Sequence, residues 1–260
     1  MANIVLIDTR KCMACRGCQV ACKDWNQLPA GVTKFRGTYT NPLTLQPHTW
    51  THLVFTETDQ GRWLFAKYAC MHCTDAACVE VCPLGAVRRL KNGTVWHDAD
   101  KCAGCGLCVE QCPFNVPRIN KFTRVMGKCT GCAERTMNGL QPACVATCPS
   151  GALEYGERKE LLAKARARVE ELQEQGFDQA CLYGETEMGG LGRVYILTRP
   201  PAEYGLPENP QPAASAWFWR AAKGPLRKLA SLTLVSGAMF SLLRWRAERI
   251  QGKRGDQKAV

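Results

Sequence analysis

The sequence begins without the marks of an export signal. Met1-Ala2-Asn3-Ile4-Val5-Leu6-Ile7-Asp8 runs on to Cys12 with no basic n-region, long apolar h-region or small-residue cleavage site. Histidine is scarce, and none of His48, His52, His72 and His97 is read as a haem ligand. Concentrated basic stretches are missing as well. The 34 Lys and Arg residues are spread through the 260 positions, which argues against a nucleic-acid partner.

Cysteine, in contrast, is abundant, at 17 residues. A disulfide framework of that density belongs to short secreted domains in oxidising compartments, so the missing export signal points to metal instead. Sixteen cysteines form four groups: Cys12, Cys15, Cys18, Cys22; Cys70, Cys73, Cys78, Cys82; Cys102, Cys105, Cys108, Cys112; and Cys129, Cys132, Cys144, Cys148. The first gap always holds two residues and the last always three; only the middle gap varies. In a two-cluster ferredoxin the fourth cysteine ligates the other cluster, because three closely spaced thiolates wrap one face and the fourth points away. Loop N–H groups turned toward the sulfurs offset the negative charge. Pro83, Pro113 and Pro149 follow three of the fourth cysteines and read as helix starts; Lys23 stands at the equivalent place in the first group.

A zinc scaffold is the competing reading. Cys129, Cys132, Cys144 and Cys148 by themselves would pass as a four-cysteine zinc site. Four groups sharing one final gap suit iron–sulfur clusters better. Cys181 reads as an inert buried thiol. A cuboidal core with its four thiolates carries about −2, so four clusters would bring the formal charge of +11 to about +3. Lys11, Lys101 and Lys128 each precede a group, and two readings stand open for them: cations that raise a cluster's potential, or solvated lysines at loop starts. His72 lies inside the second loop, where it could donate to a sulfur.

The pattern between the groups predicts an α+β fold. Ile4–Ile7 reads as a strand, Thr51–Thr58 and Arg62–Lys67 as a hairpin, Val95–His97 and Arg193–Thr198 as strands, and Glu157–Gln175 as a charged helix. Cys82-Pro83-Leu84-Gly85-Ala86-Val87 repeats as Cys148-Pro149-Ser150-Gly151-Ala152-Leu153, so groups two and four are equivalent. Pro200–Pro212 reads as an extended linker. Leu229–Leu243 is a fifteen-residue run without a charge between Arg227-Lys228 and Arg244-Trp245-Arg246, and it predicts a short membrane helix with Trp217, Trp219 and Trp245 at the interfaces, the alternative being an amphipathic helix docked on a partner or lying on the bilayer. Spacing leaves open whether group one pairs with two or with four.

At this level the chain resembles the four-cluster beta subunits of molybdenum- or tungsten-dependent formate dehydrogenases, from about Asn3 to Pro201. The resemblance rests on Cys12-Met13-Ala14-Cys15-Arg16-Gly17-Cys18-Gln19-Val20-Ala21-Cys22-Lys23-Asp24-Trp25-Asn26, on Cys112-Pro113-Phe114-Asn115-Val116-Pro117-Arg118-Ile119, on Gln141-Pro142-Ala143-Cys144 and on Val194-Tyr195-Ile196-Leu197-Thr198-Arg199. It implies two ferredoxin-like modules, 1–60 with 120–200 and an inserted 61–119, then a linker at 201–224, an anchor at 225–245 and a basic tail at 246–260. It implies four [4Fe–4S] clusters, held by Cys12, Cys15, Cys18 and Cys148; by Cys22, Cys129, Cys132 and Cys144; by Cys70, Cys73, Cys78 and Cys112; and by Cys82, Cys102, Cys105 and Cys108. Some relatives lack the counterpart of Cys105 and carry a three-iron cluster there; its presence here implies four irons. Electrons would pass in that order from a molybdopterin catalytic subunit toward a cytochrome b membrane subunit, with no catalytic residue in this chain. The membrane-anchored branch further implies cluster modules on the periplasmic side, exported with a partner that bears a twin-arginine signal. Polysulfide, thiosulfate, dimethyl sulfoxide or arsenate oxidoreductases have equivalent subunits and are the rival reading.

Overall fold

The computed structural model describes residues 3–223 and three further positions, 239, 241 and 242. The chain divides into two units, Met1–Ala216 and Trp217–Val260. Its elements, in order, are β1 (Asn3–Asp8), α1 (Gly17–Trp25), β2 (Thr51–Glu57), β3 (Trp63–Ala69), α2 (Ala77–Glu80), β4 (Val87–Arg89), β5 (Val95–His97), α3 (Leu107–Glu110), β6 (Arg118–Ile119), β7 (Met126–Gly127), α4 (Ala133–Met137), α5 (Ala143–Ala146), β8 (Leu153–Glu157), α6 (Arg158–Glu174), β9 (Cys181–Tyr183), β10 (Arg193–Leu197) and α7 (Ala214–Lys223).

The main sheet has the order β8-β1-β10-β9. β1 runs antiparallel to β8 and parallel to β10, with Val5 opposite Arg193 and Ile7 opposite Tyr195. Alternate side chains of a strand face opposite ways, and here the two faces meet different partners. Ile4, Leu6, Val194 and Ile196 pack with Leu161, Ala165 and Leu172 of α6. Val5, Ile7, Leu153, Tyr195 and Leu197 face the other way, into a core that also contains Cys70, Cys129 and Cys144. The sheet is therefore a wall with a helix on one side and cysteine loops on the other.

The strand at Ile4–Ile7, the hairpin, Val95–His97, the charged helix and Arg193–Leu197 all form close to their expected places. The short strands β4, β6, β7 and β9 were not foreseen, since two or three residues carry too little periodicity to read; nor was the five-residue β8. Two expectations need correcting. The prolines after the fourth cysteines do not open helices: Cys82, Cys112 and Cys148 each enter a turn closed by N–H bonds from Gly85, Asn115 and Gly151 back to the cysteine carbonyl. The helices come earlier and carry Cys78, Cys108 and Cys144. Proline stops them because its ring clashes with the preceding turn of a helix. Lys23 imposes no such stop, so α1 continues past Cys22 to Trp25. The second correction concerns the proline-rich stretch. Pro201–Tyr204 is a 3-10 turn, and Tyr204 and Leu206 are buried in the core. The Tyr204 hydroxyl lies 2.9 Å from Thr198 Oγ1 and 3.3 Å from Thr9 Oγ1, which ties this segment down.

Among the described residues no helix is long and apolar enough to cross a membrane. The predicted membrane run Leu229–Leu243 lies outside the described residues except at Met239, Ser241 and Leu242.

Candidate iron–sulfur centres

Each cysteine loop uses the same backbone device. The residue before the second cysteine has a left-handed φ: 57° at Ala14, 50° at His72, 64° at Gly104 and 64° at Gly131. That conformation is costly for Ala and His, and it reverses the chain so that N–H groups face back toward sulfur. The Gly131 N–H donates to Cys129 Sγ over 3.3 Å, the Gly17 N–H to Cys15 Sγ over 3.4 Å, and the Ala14 N–H to the Cys12 sulfur.

The loops bring the thiols together across the chain. Cys12, Cys15, Cys18 and Cys148 line one cavity. Cys22 is surrounded by Cys129, Cys144 and Cys132. Cys73 adjoins Cys70, Cys112 and Cys78. Cys108 adjoins Cys102, Cys105 and Cys82. The sets are also neighbours in sequence order: Cys18 feels Cys144 of the second, and Cys78 of the third feels Cys108 of the fourth.

Burial pushes several of these thiols up, to about 11 for Cys18, Cys112 and Cys132 and to about 12 for Cys22 and Cys108. A thiolate in such a place needs a cationic partner, and metal assembly supplies one while releasing the protons. Cys129 behaves differently. Burial acts against its ionisation too, yet Arg193, Lys67, the Gly131 N–H and Lys128 together hold it below the ordinary thiol value.

Those three cations are buried. Lys67 in β3 lines the Cys12 cavity, and its Nζ donates to Thr51 Oγ1 over 3.3 Å. Lys128 Nζ donates to Val95 O and, over 3.1 Å, to Cys129 O. Arg193 Nη2 donates to Cys129 Sγ over 3.0 Å. Of the lysines that precede groups, Lys128 thus has the buried position, whereas Lys11 is exposed and Lys101 is an exposed partner of Asp98 at 3.1 Å. Lys67 and Arg193 were not singled out from sequence. Alternation was the usable signal, since it puts Arg193 in phase with Tyr195 and Leu197. His72 does not donate to sulfur: its Nδ1 accepts the Val95 N–H over 3.1 Å, and its buried Nε2 has no partner among the described residues. Burial, followed by Lys128 and Arg193, holds His72 neutral. Cys181 is half-buried in β9, away from the four sets.

This donor chemistry fits cuboidal clusters. Four sets of four thiols, inward N–H groups and buried cations match cores of about −2 each. Residues 61–158 match the family described as 4Fe-4S dicluster domain. Over 242 residues the chain is 39% identical to the iron–sulfur subunit of the nitrate-inducible formate dehydrogenase of Escherichia coli, which covers 90% of this chain and 82% of that protein.

The chain belongs to the family of formate dehydrogenase iron–sulfur subunits.

Two further relatives bracket that assignment. Formate dehydrogenase 2 subunit beta (cytochrome c-553) of Nitratidesulfovibrio vulgaris is 36% identical over 78% of this chain and 97% of its own length. The thiosulfate reductase electron transfer subunit of Salmonella typhi is 38% identical over 60% of this chain and 77% of its own. As an iron–sulfur subunit the protein binds [4Fe–4S] clusters and transfers electrons; it is not the catalytic subunit.

Proposed function

We propose that the chain relays electrons through four [4Fe–4S] clusters, held by the four cysteine sets in the order Cys12 to Cys108, between a molybdopterin formate dehydrogenase subunit and a membrane cytochrome b. When bound, each cluster supplies a one-electron couple; the protein sets spacing, burial and charge. One observation carries the reading. Cys15 and Cys105 are the exposed thiols among the sixteen, and they fall in the first and fourth sets, while Cys22, Cys129, Cys132 and Cys144 of the second are all buried. That pattern of exposure supports a relay with its two ends nearer the surface than its second member.

The family resemblance supports the finer points. Residues 1–60 with 120–200 and residues 61–119 act as the two modules, 225–245 as the membrane anchor and 246–260 as a basic tail. The cluster modules face the periplasm. A formate-linked partner is favoured over a thiosulfate-linked one because the similarity to formate dehydrogenase subunits covers far more of the chain.

Purification of the complex from native membranes tests the proposal. Roughly sixteen irons and sixteen sulfides per chain, a co-purifying molybdopterin subunit and formate-dependent dye reduction are expected. About eight irons in fully loaded protein, or a partner active on thiosulfate and inactive on formate, overturns it. Protease treatment of spheroplasts should digest the cluster modules and spare a C-terminal tag; the reverse pattern refutes the topology.

A further inference from the structure

The strand phase that turns Tyr195 and Leu197 toward the cysteine loops turns Arg193 the same way. Its approach is unusually close. The Gly192 N–H donates to Met71 O over 2.8 Å, and a Cβ on Gly192 would stand 2.8 Å from the His72 Cβ. This seats the start of β10 directly on the second cysteine loop. From there the guanidinium reaches two loops at once. Nε donates to Cys70 O over 2.6 Å, and Nη2 donates to Cys129 Sγ over 3.0 Å.

Arg193 is 2% exposed and joins none of the ion pairs among the described residues. Nη1 is buried with no hydrogen-bond partner among the described residues. A buried guanidinium without a carboxylate is costly, so its countercharge must come from the groups around it. The thiols among those groups are Cys129, Cys144 and Cys70. Lys128 Nζ donates to Val95 O and Cys129 O, and Lys67 Nζ to Thr51 Oγ1. Among the described residues, Arg193 is the cation whose side-chain N–H donates to a cysteine sulfur.

We propose that Arg193 is a positioning residue of the relay. It donates to Cys129 Sγ and raises the reduction potential of the cluster that Cys129 holds, at the place where electrons cross to the set containing Cys70. The physical cause is differential: a fixed positive charge and an N–H···S bond stabilise the reduced core, with its one extra negative charge, more than the oxidised one. One electron arrives from the neighbouring set and one leaves to the next; no proton moves, and Arg193 keeps its charge throughout. The inference rests on the ligand sets proposed above for the statement that Cys129 and Cys70 serve different clusters.

The test is an EPR-monitored redox titration of the purified complex. Cys129→Ser and Cys22→Ser first mark the signal of the cluster they share. In Arg193→Gln that signal should become harder to reduce, its reduced-to-oxidised ratio at fixed potential falling by about tenfold, which is about 59 mV for one electron. The other signals should titrate as in the parent. Arg193→Lys, which keeps the charge, should recover most of the shift. An unchanged midpoint for the Cys129 signal in Arg193→Gln, or equal shifts in all signals, overturns the role of Arg193. If Cys129→Ser and Cys22→Ser disturb different signals, the ligand sets fall instead, and a shift confined to the Cys129 signal still upholds Arg193. Should Arg193→Gln assemble without full iron, the parent complex grown on [15N]arginine decides: a 15N coupling on the Cys129 signal is expected, and its absence refutes the contact.

Discussion

Two glycines of the third cysteine loop make a controlled experiment. Gly104 and Gly106 flank Cys105, and both have left-handed φ, 64° and 83°. A side chain at either pays the left-handed cost, about 1–2 kcal/mol. Their surroundings differ. A Cβ on Gly106 meets nothing within 4 Å, whereas one on Gly104 lands 1.9 Å from Arg124 O and 3.3 Å from Arg124 Cβ. Arg124 cannot give way cheaply, because its turn is closed by Arg124 N–H to Asn120 O and by Asn120 N–H to Val125 O, both 2.9 Å. Forcing the two chains apart adds about 1–3 kcal/mol. Gly104→Ala should therefore cost about 2–5 kcal/mol and Gly106→Ala about 1–2 kcal/mol. For a unit of this size each kcal/mol lowers the thermal midpoint by about 2–4 °C. The displaced loop carries Cys102 and Cys105, so Gly104→Ala should also lose about four of roughly sixteen irons. Thermal loss of the visible cluster absorbance and iron analysis read both effects. Equal midpoints and equal iron in the two variants would refute the close approach of Arg124.

Three other outcomes are expected. Cys105→Ser exposes one corner of the fourth set and should yield a three-iron EPR signal while the other signals persist; an unaltered spectrum removes Cys105 from the ligands. Lys23→Pro should break α1 at Cys22 and cost about 3 kcal/mol or more, with Lys23→Ala separating out the loss of the Nζ bonds to Pro29 O and His48 O; Pro83→Ala, in a turn, should cost less than about 1 kcal/mol. Burial and then Lys128 hold His97 down at about 4, with Asp98 opposing. Its folded value lies below the unfolded value of about 6.5, so the folded state binds fewer protons in between. Stability is full above about 6.5 and falls as pH drops toward 4; His97→Gln should flatten that slope in acid-unfolding curves.

Much of the site was legible because its ligands are local in the chain. A cysteine loop needs fixed gaps to wrap a cube, so spacing grouped sixteen cysteines as candidate ligands without any knowledge of the fold. The hairpin β2–β3 and the helix α6 were readable for a similar reason, since each repeats its period over enough residues. The turns after Cys82, Cys112 and Cys148 show the opposite case. Proline signalled an interruption, but whether it began a helix or ended one depended on where the preceding residues were held.

Tertiary structure decided what lies between the loops. Spacing was compatible with more than one pairing of the groups, and the proximity of Cys148 to Cys12, or of Cys112 to Cys73, spans large parts of the chain. The parallel register of β1 with β10, which sets Val5 opposite Arg193, lies 188 positions apart in sequence numbering and leaves no local trace. The cations followed the same rule. Lys11, Lys101 and Lys128 look alike in sequence, and only packing buries Lys128 while leaving the other two in solvent. Strand alternation could place Arg193 on the inward face, but which sulfur it and Lys67 approach was not legible, because a charge acts through distance and dielectric, and neither is a property of sequence neighbours.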